Sequence, residues 1–486
     1  MKGTLKLSWK ERCFQLEAKF AALEARIAFL EAENEALRIE NRQLKARIVE
    51  LEEKLNTNSN NSSKPPSQDP FRPQRSSEPT GKKPGGQPGH SGHARQMYPV
   101  EQVFKVVDLK PDACPNCGPN TFELSPIFIE CRQTVELPVI QPEVTQYNIH
   151  TCRCGECGKH VRAGVPPEAE RGFGPRLMGF LTMLTGEAGV TKRKICAITG
   201  HLGIKISLGG LCNIHKLAGQ ILCRAYEEIK AEVLRNSNVN GDESSWRLNH
   251  KRCWIWIGAT PKATFFKIDP SRSQEAFKRI FGGFKNTLTT DRYGGYNCYE
   301  GNKQACLAHI DRDFDKVVER PGVDGAIGRI LSGELGSIFA LWKEFKTAAF
   351  TREQLQLKAA LHIENIKDTL TVSASANGVG GKTAAFSLDL LDRFPTLWRF
   401  LYEEGVEPTN NLAERGLRPA VIFRKLSGGS HSEWGMRFTE RLLTVACTLK
   451  QRAGNIFVYL AQSFEAHIFG RASPDVLGAQ APPYPP

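Results

Sequence analysis

A chain of 486 residues has room for several domains. Its formal net charge of +13 and pI near 9.1 favour a polyanionic partner, without separating DNA from RNA or a membrane surface. No apolar run is long enough to span a bilayer, no early one reads as a secretory signal, and 14 unevenly clustered cysteines argue against a secreted disulfide framework, so the expected setting is cytoplasmic with no membrane partner.

Heptad spacing dominates the first sixty residues or so. Leu16, Leu23, Leu30, Leu37, Leu44 and Leu51 recur every seven residues, with Phe20, Ile27, Asn34, Asn41, Ile48 and Leu55 on the alternate seam. The pattern predicts a leucine-zipper coiled coil over residues 13–58. A parallel pairing sets Lys19 against Glu24, Arg26 against Glu31, Glu33 against Arg38, Glu40 against Lys45 and Arg47 against Glu52, and all five pairs attract. A homodimer is the expected product; a single amphipathic helix packed on its own protein is the other arrangement open to this seam.

Residues 59–98 turn rich in Asn, Ser, Pro and Gly with scattered Lys and Arg, which predicts a disordered basic linker. Its KPGGQPGHSGH string suits either phosphate contact or a plain tether. Cys114-Pro-Asn-Cys117 and Cys154-Gly-Glu-Cys157 then form two knuckles across a strand-rich interval, as in a four-thiolate zinc ribbon. Residues 99–168 are therefore expected to hold one structural Zn²⁺, with Cys131 and Cys152 as competing ligands. Residues 172–236 read as helical. Lys194 to Thr199, a turn around Gly203 and a helix from near Ser207 fit a DNA-binding helix-turn-helix that offers Lys192, Arg193 and Lys194 to phosphates. A plain helical connector also fits, because Gly209 and Gly210 are poor residues for a recognition helix.

Asn238 to Asp242 and Cys253 to Ile257 read as strands joined by a turn at Asn249, His250 and Lys251. A third strand near Ala263 to Ile268, a helix within Ser271 to Phe281 and a β-branched run from Asn286 to Asp291 complete an order that suits a ribonuclease-H-like sheet. Ile327, Ile330, Leu331, Leu335, Ile338, Leu341, Trp342 and Phe345 keep helical spacing and predict a helical insertion at about 320–402. A helix-compatible stretch follows, preceded by Pro408 and ended by Pro419; Arg437 to Leu460 reads as closing helices and 473–486 as a disordered tail. The expected fold class is multidomain α+β, with a ribonuclease-H-like domain over 237–472.

Three acids sit in short signatures of that domain: Asp242 in NGDE, Asp291 in TTDRYGGYN and Glu414 in PTNNLAERGLRP. Gathered by folding, three carboxylates seat hard divalent cations that keep positions open for phosphate and water, and two Mg²⁺ ions can flank one phosphodiester. Ordinary roles compete. Asn411 and Glu414 have capping-box spacing, and Asp291 precedes Gly294 and Gly295 as a turn residue would.

The strings TDRYGGYN, CLAH and PTNNLAERGLRP resemble those of the insertion sequence sixty-six family of bacterial DDE transposases, and the resemblance extends over nearly the whole chain. It implies that Asp242, Asp291 and Glu414 are a catalytic triad and its Mg²⁺ ligands, and it matches Cys306 and His309 to the family's Cys-x-x-His. His309 is left between an auxiliary catalytic role and a packed side chain. The resemblance further implies phosphoryl transfer that cuts at the ends of the chain's own element and joins 3′-hydroxyls to target DNA. Double-stranded DNA, small companion proteins of the element and a nucleoid-associated location in a bacterial cytoplasm are what it leads one to expect. Arg415, Arg418, Arg424 and Lys425 would line the DNA path. Leu307 stands where the family commonly has Trp, and Asp311 lies in its basic stretch. Two other functions use the same parts: a catalytically inactive DNA-binding regulator of the element, and a ribonuclease-H-like nuclease that cuts without joining.

Overall fold

The computed structural model describes residues 9–56, 96–109, 116, 118, 130–376 and 378–478. Cys114, Cys117, most of the basic linker and the end of the expected tail lie outside the described residues. The chain divides into two units, Met1–Thr80 with Arg312–Arg329, and Gly81–Asp311 with Ile330–Pro486.

The first unit carries one long helix, α1 (Trp9–Asn56). Its heptad seam faces solvent, with Leu16 63% and Leu30 45% exposed. A seam of this length left uncovered is the surface a second helix would bury. Residues 312–329 are helical apart from a turn at 319–322, where Gly322 takes a φ of +68°.

In the second unit, β1 (Thr151–Arg153) and β2 (His160–Arg162) form an antiparallel hairpin. Four helices follow: α2 (Pro175–Gly186), α3 (Lys192–His201), α4 (Leu208–Ile221) and α5 (Cys223–Arg235). Gly203 turns the chain between α3 and α4 at φ +76°, and Ser207 caps α4 by accepting the Gly210 N–H at 3.0 Å.

The central sheet begins with β3 (Asn238–Leu248), β4 (Lys251–Ala259) and β5 (Thr264–Asp269), an antiparallel meander. The β3–β4 turn is tighter than expected. Asn249 and His250 alone make it, both at positive φ (47° and 66°), and Lys251 already belongs to β4. Helix α6 (Gln274–Phe281), capped by Ser273, leads to β6 (Thr287–Thr290), which pairs parallel with β3. A three-residue strand, β7 (Lys303–Ala305), adds parallel to β6 and was not expected from the sequence. The sheet order is β5-β4-β3-β6-β7.

Helix α7 (Leu307–Val318) comes next, and α8 (Val323–Lys346), α9 (Arg352–Ser375) and α10 (Gly381–Asp392) fall where a helical insertion is expected. On α8, Leu331, Leu335 and Ile338 are buried, but Ile330 is 51% exposed and falls off the stripe assigned to it. Trp342 packs edge-on to Phe400 at 5.1 Å and donates to Glu407 at 3.2 Å.

Helix α11 (Asn411–Ser427) corrects a second expectation: Pro419 lies inside it, and the helix runs on to a left-handed Gly428. A proline costs the helix one backbone bond and strains the preceding turn without necessarily ending it. The closing segment is two helices, α12 (Glu433–Gln451) and α13 (Ile456–Ile468).

One core joins Leu181, Ile195, Leu211 and Ile229 of the early helices to Trp256 and Phe265 on one face of the sheet, to Phe277 of α6, and to Phe438, Leu442 and Leu460 of the closing helices. The core therefore crosses the boundary expected near residue 236. On the other face, Trp246, Ile255, Ile257 and Phe266 pack against Ala413, Leu417 and Ala420 of α11. No helix among the described residues is long and apolar enough to cross a membrane.

Candidate active site

β3 carries Asp242, and Asp291 follows directly on the end of β6. Asn240 pairs with Thr289, so Asp242 on β3 and Asp291 just past the end of β6 each stand two residues beyond the last paired position of strands about 4.8 Å apart. The third acid comes from α11, which crosses the same sheet face as Asp242. Gly416 permits that crossing: a Cβ there would stand 2.6 Å from Ile257 Cδ1.

Electrostatics tie the three together. The Asp242 carboxyl is held well above its usual range, first by burial and then by the negative charges of Glu243, Asp291 and Glu414. Asp242 Oδ1 accepts the Glu243 N–H at 2.8 Å, and Asp291 Oδ1 accepts the Tyr293 N–H at 2.9 Å. Both aspartates are thereby oriented by their own local backbone.

The capping-box alternative for Glu414 does not form. The N-cap is Asn410, one residue earlier than that alternative requires, and it makes no side-chain cap bond. Its amide is used across the fold: Nδ2 donates to the Gly241 carbonyl at 2.8 Å, Oδ1 accepts from Asn240 at 3.1 Å, and its N–H donates to Cys306 Sγ at 3.1 Å. Asn410 is completely buried and was not singled out in the sequence. It ties the residue before Asp242 to the helix that bears Glu414.

Cys306 and His309 arrive beside that helix. Their ligand atoms and those of Glu414 lie within 4.8 Å of one another, with His309 Nδ1 at 3.6 Å from Glu414 Oε1. Burial pushes the Cys306 thiol up to about 11, so at neutral pH the sulfur is a neutral acceptor for Asn410. Leu307, where a Trp is common, is fully buried, and its N–H donates to the Pro408 carbonyl at 2.8 Å.

A second acid hides next to the first. Glu243 is 8% exposed and accepts from Arg272 Nε at 2.7 Å and from the Tyr296 hydroxyl. Burial and Asp291 raise its pKa against the pull of Tyr296 and Arg272. Arg272 also covers the Tyr293 ring at 3.5 Å, so the turn after Asp291 is clamped to β3. The NGDE string contains this residue, but only the partners Arg272 and Tyr296 show its part. Beyond Asp291, Arg292 bonds Asp389 of α10 at 3.1 Å, and a cavity of about 270 Å³ lined by Asp291, Arg292, Lys303 and Arg393 opens beside the acid.

The expected DNA contacts divide. Arg193 and Lys194 are exposed at the start of α3, whereas Lys192 is turned inward over the Trp434 ring at 5.3 Å and donates to Cys212 Sγ at 3.5 Å. Arg415, Arg418 and Lys425 are exposed on α11, and Arg424 is half-buried against Ser245. Of the expected zinc ligands, Cys154 and Cys157 flank the β1–β2 turn, where Gly158 adopts a φ of +71°. The backbone N–H groups of Cys157 and Glu156, with the Cys157 side chain, lower the Cys154 thiol. Cys131 and Cys152 are exposed free cysteines.

A family model described as "Transposase IS66 family" matches residues 172–438, more than half of the chain and all three acids. The chain belongs to the IS66 transposase family. A second model, for a family of unknown function, matches residues 17–96, which take in most of α1. Among curated proteins, this transposase-family chain is similar to "Uncharacterized protein y4qI" of Sinorhizobium fredii, 25% identical over 337 residues that make up 62% of this chain and 60% of that protein.

The acidic cluster carries a testable consequence for stability. A carboxyl whose folded pKa lies above its unfolded value destabilises the fold at every pH above the unfolded value, and ceases to do so only when acid protonates both states. Asp242→Asn should therefore raise Tm at pH 7.5 without metal, by about 2–4 °C for each kcal/mol of repulsion relieved in a domain of this size. The gap should close near pH 4. Scanning fluorimetry across pH checks this, and a lower Tm for the variant at pH 7.5 would contradict it.

Proposed function

We propose that the chain is a DDE transposase that binds the ends of its insertion sequence and performs Mg²⁺-dependent strand cleavage and strand transfer at Asp242, Asp291 and Glu414. The observation that carries this reading is that Asp291 and Glu414, the latter 172 residues away in the chain, both act on the Asp242 carboxyl. The strand pairing β5-β4-β3-β6-β7, antiparallel in the meander and parallel beyond it, supports a ribonuclease-H-like fold.

The donor set fits hard divalent cations, because crowded carboxylate oxygens that repel one another are relieved by positive charge. Two bound Mg²⁺ ions supply activation of the attacking oxygen and charge neutralisation on the leaving one. The protein's own share is positioning. Backbone N–H groups and the Asn410 amide hold the aspartates, His309 steadies Glu414, and the exposed arginines and lysines of α11 and α3 bind DNA phosphates. The direct test is a gel assay of nicked and joined products from DNA carrying the element's ends, compared between wild type and the three carboxylate variants.

The remaining modules follow from the same reading. The hairpin with Cys154 and Cys157 completes a structural zinc ribbon with Cys114 and Cys117. Purified protein should hold about one Zn²⁺ per chain, and Cys154→Ser with Cys157→Ser should remove it; unchanged zinc by elemental analysis would refute the ligand set. The exposed seam of α1 makes a parallel homodimer. Sedimentation of the full chain should show a dimer that Leu30→Lys with Leu37→Lys converts to monomer, whereas a monomeric wild type would end the zipper reading.

A further inference from the structure

The far end of the β3–β4 hairpin presents an arrangement that folding alone disfavours. Arg247 and Arg252 are directly opposed cross-strand partners, and like charges so placed repel. Arg424 of α11 completes the cluster. It is half-buried, bonded to the Ser245 carbonyl and hydroxyl, and its pKa is lowered by burial and by Arg247. None of the three arginines has a carboxylate partner among the described residues. They line an open cleft of about 720 Å³ with Ser245, Trp246 and His250.

The cleft is built rigidly. Ser430, just after α11, bonds into the end of β3: its N–H donates to the Arg247 carbonyl at 2.9 Å, and its carbonyl accepts the Asn249 N–H at 2.8 Å. This attachment needs Gly429, which sits at φ +104° with its Cα so close that a Cβ would stand 2.5 Å from the Arg247 carbonyl oxygen.

We propose that this cleft is a phosphate-binding subsite for the DNA backbone, set at a fixed distance from the acids. The two elements that bear Asp242 and Glu414 also bear Arg247 and Arg424, and Arg252 comes from β4. Arg247 is five residues along β3 from Asp242, roughly 17 Å at strand rise, and Arg424 is ten residues along α11 from Glu414, roughly 15 Å at helix rise. A duplex rises about 3.4 Å per base pair, so a phosphate about five base pairs from the reacting one comes level with the cleft, which Arg247 and Arg252 enter from the sheet face opposite Asp242 and Arg424 from the α11 side. Guanidinium forks bind phosphate bidentately, and a bound phosphate cancels the Arg247–Arg252 repulsion.

This inference rests on the transposase reading of the acidic site. Its test measures full-length protein binding a fluorescein-labelled 30-base-pair duplex of arbitrary sequence by anisotropy, from about 50 to 200 mM salt. For Arg247→Ala with Arg252→Ala, the slope of log affinity against log salt should fall in magnitude by about 1–2, with affinity at the lowest salt down about tenfold. Arg247→Lys with Arg252→Lys should keep the slope. Both side chains are exposed, so Tm of the alanine variant should equal or exceed that of wild type. An alanine variant with wild-type slope and affinity overturns the subsite, whatever its Tm. Wild type that fails to bind any duplex would instead sink the transposase reading itself.

Discussion

Asp242→Asn, Asp291→Asn and Glu414→Gln should each cut Mg²⁺-dependent cleavage and joining by about a thousandfold or more, while DNA binding persists. The magnitude follows from the work these groups are asked to do. Phosphoryl transfer is catalysed by positioning and charge neutralisation, and removing one member of a cooperating set typically costs about 10³-fold or more. Binding persists because it rests on phosphate contacts from basic side chains. The measurement is a product gel beside an anisotropy titration at one salt concentration. Wild-type cleavage by Glu414→Gln would remove that residue from the site, and nicking by wild type with no joined product would favour a nuclease.

The second large effect is expected at Asn410, a residue that touches no proposed ligand. Asn410→Ala strips partners from the Gly241 carbonyl and the Asn240 amide inside the core. Two buried groups left unsatisfied cost about 2–4 kcal/mol, which for this size corresponds to a fall in Tm of roughly 5–15 °C. Cleavage should fall by about a hundredfold as well, because Gly241 precedes Asp242 and Asn410 begins the helix of Glu414, and small misplacements at a reacting centre are expensive. Thermal melts and the same product gel check both effects. A variant with unchanged Tm and full cleavage would show that the acids are held by other means.

The sheet is legible in the sequence because the aromatic, apolar run Cys253–Ile257 and the β-branched run before Asp291 are local signals, and the antiparallel meander needs only a short turn. β7 is not legible, since three residues carry no periodicity. Pro419 misleads because a proline predicts a helix end on average, whereas α11 is held by packing of Leu417 and Ala420 against the sheet. The acids announce themselves through their strings, but the groups that position them do not. Asn410 carries no signal of its own beside the Asn411 of the capping-box spacing, and only the tertiary fold shows its amide spent on Gly241. Glu243 looks like a neighbour of Asp242 until α6 and the turn after Asp291 bring Arg272 and Tyr296 to it. Arg247 and Arg252 become a pair only through strand register, which a turn shorter by one residue than expected decides.

Asp242, Asp291 and Glu414 should together hold the catalytic divalent ions. Mn²⁺ binding to the full-length protein with a 30-base-pair duplex, counted by electron paramagnetic resonance, tests it most directly. Wild type should bind about two Mn²⁺ ions that Mg²⁺ displaces, and Asp242→Asn and Glu414→Gln should each lose at least one of them. Equal Mn²⁺ occupancy in wild type and in both variants would contradict the account.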